Sequence, residues 1–446
     1  MTILFIVFLC AAGGYLAHCQ RYYLFLHPIR ACRRLLMRGP EDGAYSPLRA
    51  LCLALAGVLG VGNITGVAAA IMLGGPGALF WMWISALCTV PIKYAEVVLA
   101  VRTRKSCIGP DGSREYRGGP MRYLPLLRGG RLAAGAFCVL CIAASFLQGN
   151  LLQGGAALSC GMHLTGMSPW MAAAVLAVLS GILIFGGRRR ISGFCTYMIP
   201  LMSAMYLVMG VTVLVWSAPR LPGIIEDIVR SAWSFGAAGC GGGAGILLAM
   251  RHGCAKGVFS HEAGCGTAPI AHAGAETNDA PRQGILGAAE VVFDTLLLCT
   301  VTGLVLLVGG YGYAPGAADY TAVVLDAFSA QLGAGAAVVL GISIVLYAFA
   351  ALVCWSFYGA ECVRYLGGGT RARRIYLLLY TACVLGCGMG RPEDLWAMSD
   401  AVTVSMTLLN TAGVVLLWRR FSEKERDALQ IQQKALQKRR KIPKKA

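Results

Sequence analysis

One stretch, residues 55–77, constrains the fold of this chain more than any other. Its sequence is LAGVLGVGNITGVAAAIMLGGPG, which is apolar enough to lie in a lipid bilayer. Three glycines and two polar residues crowd its middle: Gly60, Gly62, Asn63, Thr65 and Gly66. Each glycine in a helix interior costs about 1 kcal/mol relative to alanine, and a backbone group freed in hydrocarbon must find another partner. The stretch therefore predicts either a broken membrane helix whose bare backbone groups hold a polar solute or ion, or glycines that only allow close helix packing.

The composition places the chain in a membrane. Of its 446 residues, 57% are hydrophobic and only 13% are charged, which excludes an ordinary soluble enzyme. The net charge is +18, but the basic residues lie between and after apolar runs. That distribution is typical of the cytoplasmic loops of a membrane protein and not of a nucleic-acid-binding surface.

The pattern of apolar runs predicts an all-α protein with about eleven transmembrane helices. Helix six is expected at about 194–217, after Arg188–Arg190, and helix nine at about 334–363. Residues 218–241 are expected to lie along the surface, and a loop is expected around Asp319 and Asp326. Residues 2–17 are interpreted as a retained first helix, not a signal peptide, because no charged region precedes them and no cleavage site follows. Segments that hold 33 of the 39 Lys and Arg residues alternate with segments poor in them. The positive-inside rule then places the N-terminus outside and the C-terminus in the cytoplasm of a cell or inner membrane.

A second interrupted run suggests how these helices are organised. Residues 259–267 read FSHEAGCGT inside the predicted seventh helix, and the first break lies in the second helix. Helices two to six and seven to eleven then form two sets of five, of which the second is inverted. The predicted divisions are an N-terminal helix and basic loop (1–45), a first repeat (46–217), a second repeat with a surface segment (218–418) and a basic tail (419–446).

Several runs resemble a known family of transporters. The runs are GNITGVA (62–68), GGPGALFWMW (74–83), KYAE (93–96), GGPM (118–121), KGVFS (256–260), EAG (262–264), APIA (268–271), FDT (293–295) and Asn410. The chain is thereby identified as similar to the alanine or glycine:cation symporter family, whose type member is the sodium:alanine symporter. The resemblance implies the leucine-transporter-like fold, with one helix before a five-plus-five inverted repeat. It also implies symport of a small neutral amino acid, usually alanine or glycine, with sodium.

The candidate substrate site lies at the two breaks. Exposed amides at the start of a half-helix, around Gly62, Asn63, Thr65 and Gly66, suit a substrate carboxylate. Carbonyls freed near Phe259 and Ser260, with His261 and Glu262 beside them, suit the ammonium group, and an intramembrane Glu is a functional candidate by default. The alternative interpretation of Glu262 is a structural group that is protonated or paired with Lys256. Gln153 is a further predicted substrate contact, and its alternative is a hydrogen bond between helices.

The sodium site is where the resemblance weakens. The resemblance implies a shell of backbone carbonyls near Ala56 and Leu59 together with two hydroxyls on helix nine. Ala350 and Ala351 stand where those hydroxyls are expected, and methyl groups cannot ligate an ion. We therefore expect weaker sodium dependence than in the family, unless water or Ser343 completes the shell. A proton-coupled transporter or an exchanger is the alternative.

Two further departures concern the substrate site. The family has Asn where this chain has His261, and Asn where it has Gly155. An imidazole at mid-membrane depth can change charge near neutral pH, which predicts steep pH dependence of transport. The alternative is a neutral imidazole that only binds backbone groups freed by the break.

Three other classes of function compete with amino acid transport. A transition-metal site would use residues crowded on helix seven, but their spacing matches no standard ligand set; the residues are His252, Cys254, His261, Glu262, Cys265 and His272. An enzyme is disfavoured because no HExxH or nucleophile-elbow motif is present. A non-transporting amino acid receptor of the same fold is the stronger rival. The sequence does not indicate an oligomeric state.

Overall fold

The computed structural model describes residues 2–36, 45–108, 114–234, 245–316, 319–388 and 392–440, and these are almost entirely helical. Within them, six helices are long and apolar enough to cross a bilayer, and one bent pair makes a seventh. Two shorter apolar helices, Ile3–Cys19 and Pro169–Phe185, add to these. The structure therefore confirms a multi-pass helical protein, while the predicted number of eleven spans stays a prediction.

The first part of the chain contains the broken helix. The helices and strands are α1 (Thr2–Cys19), α2 (Tyr23–Leu26), α3 (Pro28–Leu36), α4 (Pro47–Val58), α5 (Thr65–Gly74), α6 (Gly77–Thr103), β1 (Lys105–Ile108), β2 (Arg114–Arg117) and α7 (Pro120–Tyr123). Ser46 caps α4 by accepting a hydrogen bond from the Arg49 amide, and Pro47 occupies the first helical position. The strands pair antiparallel, with Lys105 opposite Arg117.

Three long helices follow, and then an amphipathic one. They are α8 (Gly130–Thr165), α9 (Pro169–Phe185), α10 (Gly187–Trp216) and α11 (Leu221–Ala232). Helix α10 begins at Gly187, so Arg188–Arg190 form its first turn and not the predicted loop before a helix at about 194. The predicted surface segment 218–241 contains α11, and its residues 235–241 lie outside the described part.

The second part of the chain repeats the motif of a broken helix. Its elements are α12 (Ile246–His261), α13 (Ala268–His272), α14 (Ala280–Val308), α15 (Tyr320–Leu332), α16 (Ala334–Tyr365), α17 (Thr370–Cys383) and α18 (Pro392–Arg440). The segment around Asp319 and Asp326 was expected to be a loop, but it forms α15. Asp319 caps that helix by accepting hydrogen bonds from the amides of Thr321 and Ala322.

The broken helices lie at the centre of the molecule. Helix α12 packs against α5 and α6, and α16 packs against α4, α8 and α10. The packing of α4 against α16 is tight, since Trp355 donates its indole N–H to the Gly57 carbonyl at 3.3 Å and both residues are buried. Helices α6, α8, α14 and α16 thus surround the two breaks and isolate their backbone groups from lipid.

Candidate functional site

The first break turns the chain between α4 and α5 by 62°. Helix α4 ends at Val58, a single 3₁₀ turn spans Val61–Asn63, and α5 begins at Thr65. The break frees backbone amides, and side chains satisfy two of them. The Gly60 amide donates to Asn63 Oδ1 at 3.1 Å, and the Val61 amide donates to Gln153 Oε1 at 3.0 Å. The sequence prediction of a broken helix is therefore confirmed for residues 59–64.

The second break lies between α12 and α13. Helix α12 ends at His261, and Glu262 adopts a left-handed conformation with φ of 48°. Gly264 and Gly266 follow with φ of 80° and 89°, values that only glycine adopts at low cost. A non-glycine residue in this region carries about 1–3 kcal/mol of strain, which the surrounding packing must offset. Strained backbone of this kind is common at functional sites, so Glu262 makes this break a candidate site.

The two breaks touch each other. A side chain built on Gly62 would meet the Phe259 ring and the Ser260 backbone at 3.2 Å, so only glycine fits there comfortably. Phe259 in turn packs on Trp396, with ring centroids 4.8 Å apart. The structure thus brings together Gly62, Asn63, Phe259 and Ser260, which were predicted from sequence to share one site.

The meeting point is organised by a buried carboxylate, Asp294 on α14. Asn63 Nδ2 donates to its Oδ1, and Ser260 Oγ lies 3.2 and 2.9 Å from its two oxygens. Thr295 Oγ1 donates to Oδ2 at 2.7 Å. All four side chains are buried, with exposures of 0–2%. An ionised carboxylate in such a place requires hydrogen bonds or a cation, because an unpaired buried charge is very costly.

Sequence reasoning did not select Asp294 as a site residue. The run Phe293–Thr295 carries part of the family resemblance, but its acidic residue is not among the predicted site residues. An acidic residue inside a long apolar helix is itself a signal of function, and that signal was available. The helix around it, Val292–Cys299, has π-type turns, which are frequent at functional sites.

Gln153 also lies beside a π-type segment. The turn Leu147–Leu152 precedes it in α8, and its side chain reaches the first break. The Gln153 carboxamide stands so close to Gly60 that a Cβ there would meet it at 2.6 Å. The prediction that Gln153 lies at the substrate site therefore fits its position against the amides of residues 60 and 61.

Thr65 and Gly66 face the other side of the first break. The Thr65 hydroxyl lies 3.1 Å from the hydroxyl of Thr321 on α15, and Trp396 approaches Gly66. Val61 and Thr65 line a cavity of about 730 Å³ bounded by α5, α8, α12, α15 and α18. This cavity is called the vestibule below. Lys256 and Asp400, paired at 2.9 Å, also line it. The vestibule reaches the first break at Val61 and Thr65.

His261 and Glu262 point away from the vestibule. His261 Nδ1 accepts a hydrogen bond from the Ala263 amide at 3.0 Å, and its Nε2 lies 3.4 Å from the Thr89 hydroxyl. Glu262 accepts from Gln148 at 3.0 Å and from Thr267 at 2.5 Å. Lys256 pairs with Asp400, so the alternative of a Lys256–Glu262 pair is not the arrangement found. Both side chains are thus engaged by α6, α8 and their own loop.

Ala350 and Ala351, on α16, lie at the level of the first break. Cys354 donates to the Leu53 carbonyl at 3.1 Å, which fixes how α16 lies against α4. The two helices run antiparallel. Glu361, near the end of α16, lies 3.9 Å from Arg117 of the β-hairpin. Arg188 bonds to Tyr116 of the same hairpin and lies over the ring of Tyr45, just before α4, so the end of α16 and the start of α4 are at the same end. Ala350 and Ala351 are therefore one turn nearer to the break than Cys354, opposite the region of Ala56.

Those alanines are enclosed within the protein. Ala350, Ala351 and Ala56 are all fully buried. Ser343 lies two turns farther along α16, and its hydroxyl donates to the Val339 carbonyl of its own helix at 3.0 Å. The position of Ser343 gives no support to its role as a substitute ligand.

The transition-metal interpretation finds no matching geometry. Among the described residues, no group of three or more His, Cys, Asp or Glu side chains is arranged to hold a metal ion. His252 lies in the vestibule wall and His261 contacts α6, while His272 bonds to Glu290 on α14. The candidate ligands are therefore distributed over different surroundings.

The chain matches the model of the sodium:alanine symporter family over residues 1–442. It is 35% identical over 383 residues to the sodium/alanine symporter AgcS of Methanococcus maripaludis, covering 84% of this chain and 83% of that relative. It is 30% identical over 418 residues to the probable sodium/glutamine symporter GlnT of Bacillus subtilis, covering 93% and 85%. The chain therefore belongs to the sodium:alanine symporter family, and the family resemblance read from the sequence is confirmed.

Solved structures agree with this assignment at the level of the fold. The structure of MhsT in complex with L-phenylalanine is similar with a TM-score of 0.59 and 14% identity, over 85% of this chain and 90% of that one. A manganese transporter of Eremococcus coleocola is similar with a TM-score of 0.56 and 13% identity, over 87% and 80%. These neighbours have the leucine-transporter-like fold, which the present helices share. The family and its relatives are transporters and not enzymes.

Proposed function

We propose that this member of the sodium:alanine symporter family imports a small neutral amino acid, alanine or glycine, together with sodium, by alternating access. The observation that carries the proposal is the contact of the two breaks around Asp294. The Gly60 amide donates to Asn63, Gly62 lies against Ser260, and both Asn63 and Ser260 bond to Asp294. A zwitterion needs amide donors for its carboxylate and oxygen acceptors for its ammonium group, and broken helices supply both.

The small size of the site favours a short side chain. Gly62 is in contact with Phe259, and Gln153 fills the space beside Gly60. In this structure Gln153 Oε1 accepts from the Val61 amide, as one oxygen of a substrate carboxylate would. Substrate binding then requires Gln153 to turn from acceptor to donor, with its NH₂ group facing the carboxylate. Gln153 is thus proposed as a direct substrate contact.

Asp294 is the best-supported position for the sodium ion. Its two oxygens and the hydroxyls of Ser260 and Thr295 form a compact set, in which each hydroxyl lies within 3.2 Å of the carboxylate. Hard cations prefer such oxygen ligands, and the carboxylate supplies the negative charge that a buried monovalent cation needs. The shell implied at Ala56 and Leu59 would draw on backbone carbonyls, and the methyl groups of Ala350 and Ala351 add no ligand to it.

A proton-coupled or exchange mechanism is the second candidate. It is favoured by Ala350 and Ala351, because their methyl groups cannot ligate an ion where the family resemblance implies two hydroxyls. An amino acid receptor of the same fold would bind without accumulating substrate. Eleven spans in a cell or inner membrane, with the N-terminus outside and the C-terminus in the cytoplasm, remain our proposed topology. In this topology the vestibule opens to the outside.

Uptake of radiolabelled alanine into proteoliposomes tests these alternatives. Sodium and proton gradients are imposed separately, and each is then abolished with an ionophore. We expect accumulation that needs the sodium gradient. Accumulation driven by the proton gradient alone would support the second candidate, and binding without accumulation under any gradient would favour the receptor.

A further inference from the structure

A second group of buried polar side chains lies on the side of the breaks opposite the vestibule. Lys93 on α6 forms an ion pair with Glu290 on α14, with Nζ 3.3 Å from Oε2. His272, the last residue of α13, binds the other oxygen of Glu290 through Nε2. Gln283 Nε2 lies 2.6 Å from His272 Nδ1. All four side chains have an exposure of 0%. None of them is needed for the substrate or sodium site proposed above.

The hydrogen bonds of His272 allow two protonation states. In the observed orientation, the Gln283 NH₂ group donates to Nδ1, so a neutral imidazole donates its Nε2–H to Glu290. Gln283 Oε1 has no hydrogen-bond partner among the residues that the structure describes. Rotation of the carboxamide by 180° would bring this oxygen to Nδ1, which then carries a second proton. The same three side chains thus satisfy a neutral imidazole or an imidazolium with one change of rotamer.

The charges around His272 determine what the extra proton does. With a neutral imidazole, Lys93 and Glu290 balance each other. An imidazolium adds one positive charge, and it competes with Lys93 for Glu290. The elements packed around the pair carry further charged and titratable groups. They include Lys93, Glu96, Arg102 and Arg104 on or after α6, Arg30 and Arg33 on α3, His261 and Glu262 at the second break, Arg282 and Asp294 on α14, Arg49 on α4, Arg188 on α10, and Glu361 and Arg364 on α16. Glu96 and Glu262 are within electrostatic reach of Lys93 and offer it an alternative to Glu290.

Lys93 connects this pair to the second break. Its Nζ donates to the carbonyl of His261 at 3.2 Å, and that carbonyl is freed where α12 ends. Ser260, which bonds to Asp294, is the preceding residue. A shift of Lys93 away from Glu290 therefore alters the support of the backbone on which the substrate site is built.

We propose that His272, Glu290 and Gln283 form a proton-binding site, and that a bound proton weakens amino acid binding through Lys93. The inference about amino acid affinity rests on the proposed function, whereas the inference about the proton does not. Because coupling between two bound ligands is reciprocal, binding of the amino acid must then release the proton.

Proton release on addition of alanine tests the coupling. Purified transporter in weakly buffered solution at saturating sodium is mixed with alanine, and a pH-indicator dye reports released protons. We expect about 0.3 proton or more per alanine bound at a pH where the site is partly protonated, because the coupling between proton and amino acid is reciprocal. His272→Gln keeps hydrogen-bonding groups but cannot titrate, so its release should fall at least threefold. His163→Gln makes the same change at an exposed position of α8 and should behave like the parent. Equal release from His272→Gln and the parent would overturn the coupling.

A direct titration tests the proton site without any transport. The chain has six histidines, so the side-chain nitrogen signals of ¹⁵N-histidine-labelled protein are few, and the one absent from His272→Gln belongs to His272. We expect that signal to change from neutral to doubly protonated as the pH is lowered. In Gln283→Met, which lacks the acceptor for Nδ1–H, the change should occur at lower pH. A His272 signal that stays neutral throughout overturns the proton site, even if alanine is transported. A titrating signal in a protein that binds no alanine would instead refute only the proposed function.

Discussion

The most direct test of the proposed site is the substitution Asp294→Asn. It preserves the size of a fully buried side chain and removes its charge. If sodium binds at Asp294, the ion loses one carboxylate ligand and retains the Ser260 and Thr295 hydroxyls, which lie within 3.2 Å of residue 294. A polar contact to a charged group is worth about 1.5–3 kcal/mol. At about 1.4 kcal/mol per decade, the sodium concentration for half-maximal uptake should rise roughly 10- to 150-fold.

The assay is initial alanine uptake as a function of sodium concentration, at a fixed alanine concentration and pH. Asp326→Asn, the same change on the exposed face of α15, is the matched control and should leave the sodium curve unchanged. Because the amide can donate as well as accept, the bonds to Asn63 and Ser260 can re-form, and the variant is expected to fold. A sodium curve for Asp294→Asn that superimposes on the parent curve would refute the assignment of sodium to this residue.

The remaining predictions concern positions around the two breaks. Gly62→Leu should abolish alanine binding but leave membrane insertion normal, because its Cβ would already lie 3.2 Å from Phe259. The control is Gly135→Leu, which should bind alanine normally because a Cβ there meets nothing within 4 Å. Ala350→Ser with Ala351→Thr should strengthen sodium dependence by roughly 30- to 150-fold in half-saturating concentration if two added ligands contribute about 2–3 kcal/mol, and a parent that saturates at low millimolar sodium with no gain in the double variant would contradict this. His261→Asn should shift the pH profile of uptake between pH 5.5 and 8 only if the imidazole titrates; the acceptor role of its Nδ1 favours superimposable profiles, and a steeper profile in the parent would contradict this neutral state.

The breaks could be predicted from the sequence because their residues are unfavourable in a helix. Gly60, Gly62 and Asn63 interrupt an apolar run, and the structure bends there by 62°. The second break likewise falls at Glu262 and Gly264. Their backbone is left-handed, which cannot continue a right-handed α-helix. In each case the local cost of the residues is large enough to override the tendency of an apolar segment to stay helical in a membrane.

The partners of the site residues could not be predicted in the same way. Asp294 is 231 residues from Asn63 in the chain, and only the packing of α14 against the first break joins them. Helix α15 was missed because its polar residues suggest a loop, whereas Asp319 acts as its N-terminal cap. Sequence periodicity reports which face of a helix is apolar, but it does not report which helices meet or how far each is rotated. The link between His272 and Glu290 is of the same kind.

The position of Asp294 changes how the alanines of α16 should be interpreted. Ala350 and Ala351 were expected to weaken sodium dependence because they remove two side-chain oxygens from a shell near Ala56. The carboxylate of Asp294 is another candidate place for a cation, and it lies where the two breaks meet. Loss of one shell therefore does not imply loss of sodium coupling. We propose that a single cation, bound at Asp294, carries the coupling. The variants Asp294→Asn and Ala350→Ser/Ala351→Thr should then change sodium dependence in opposite directions.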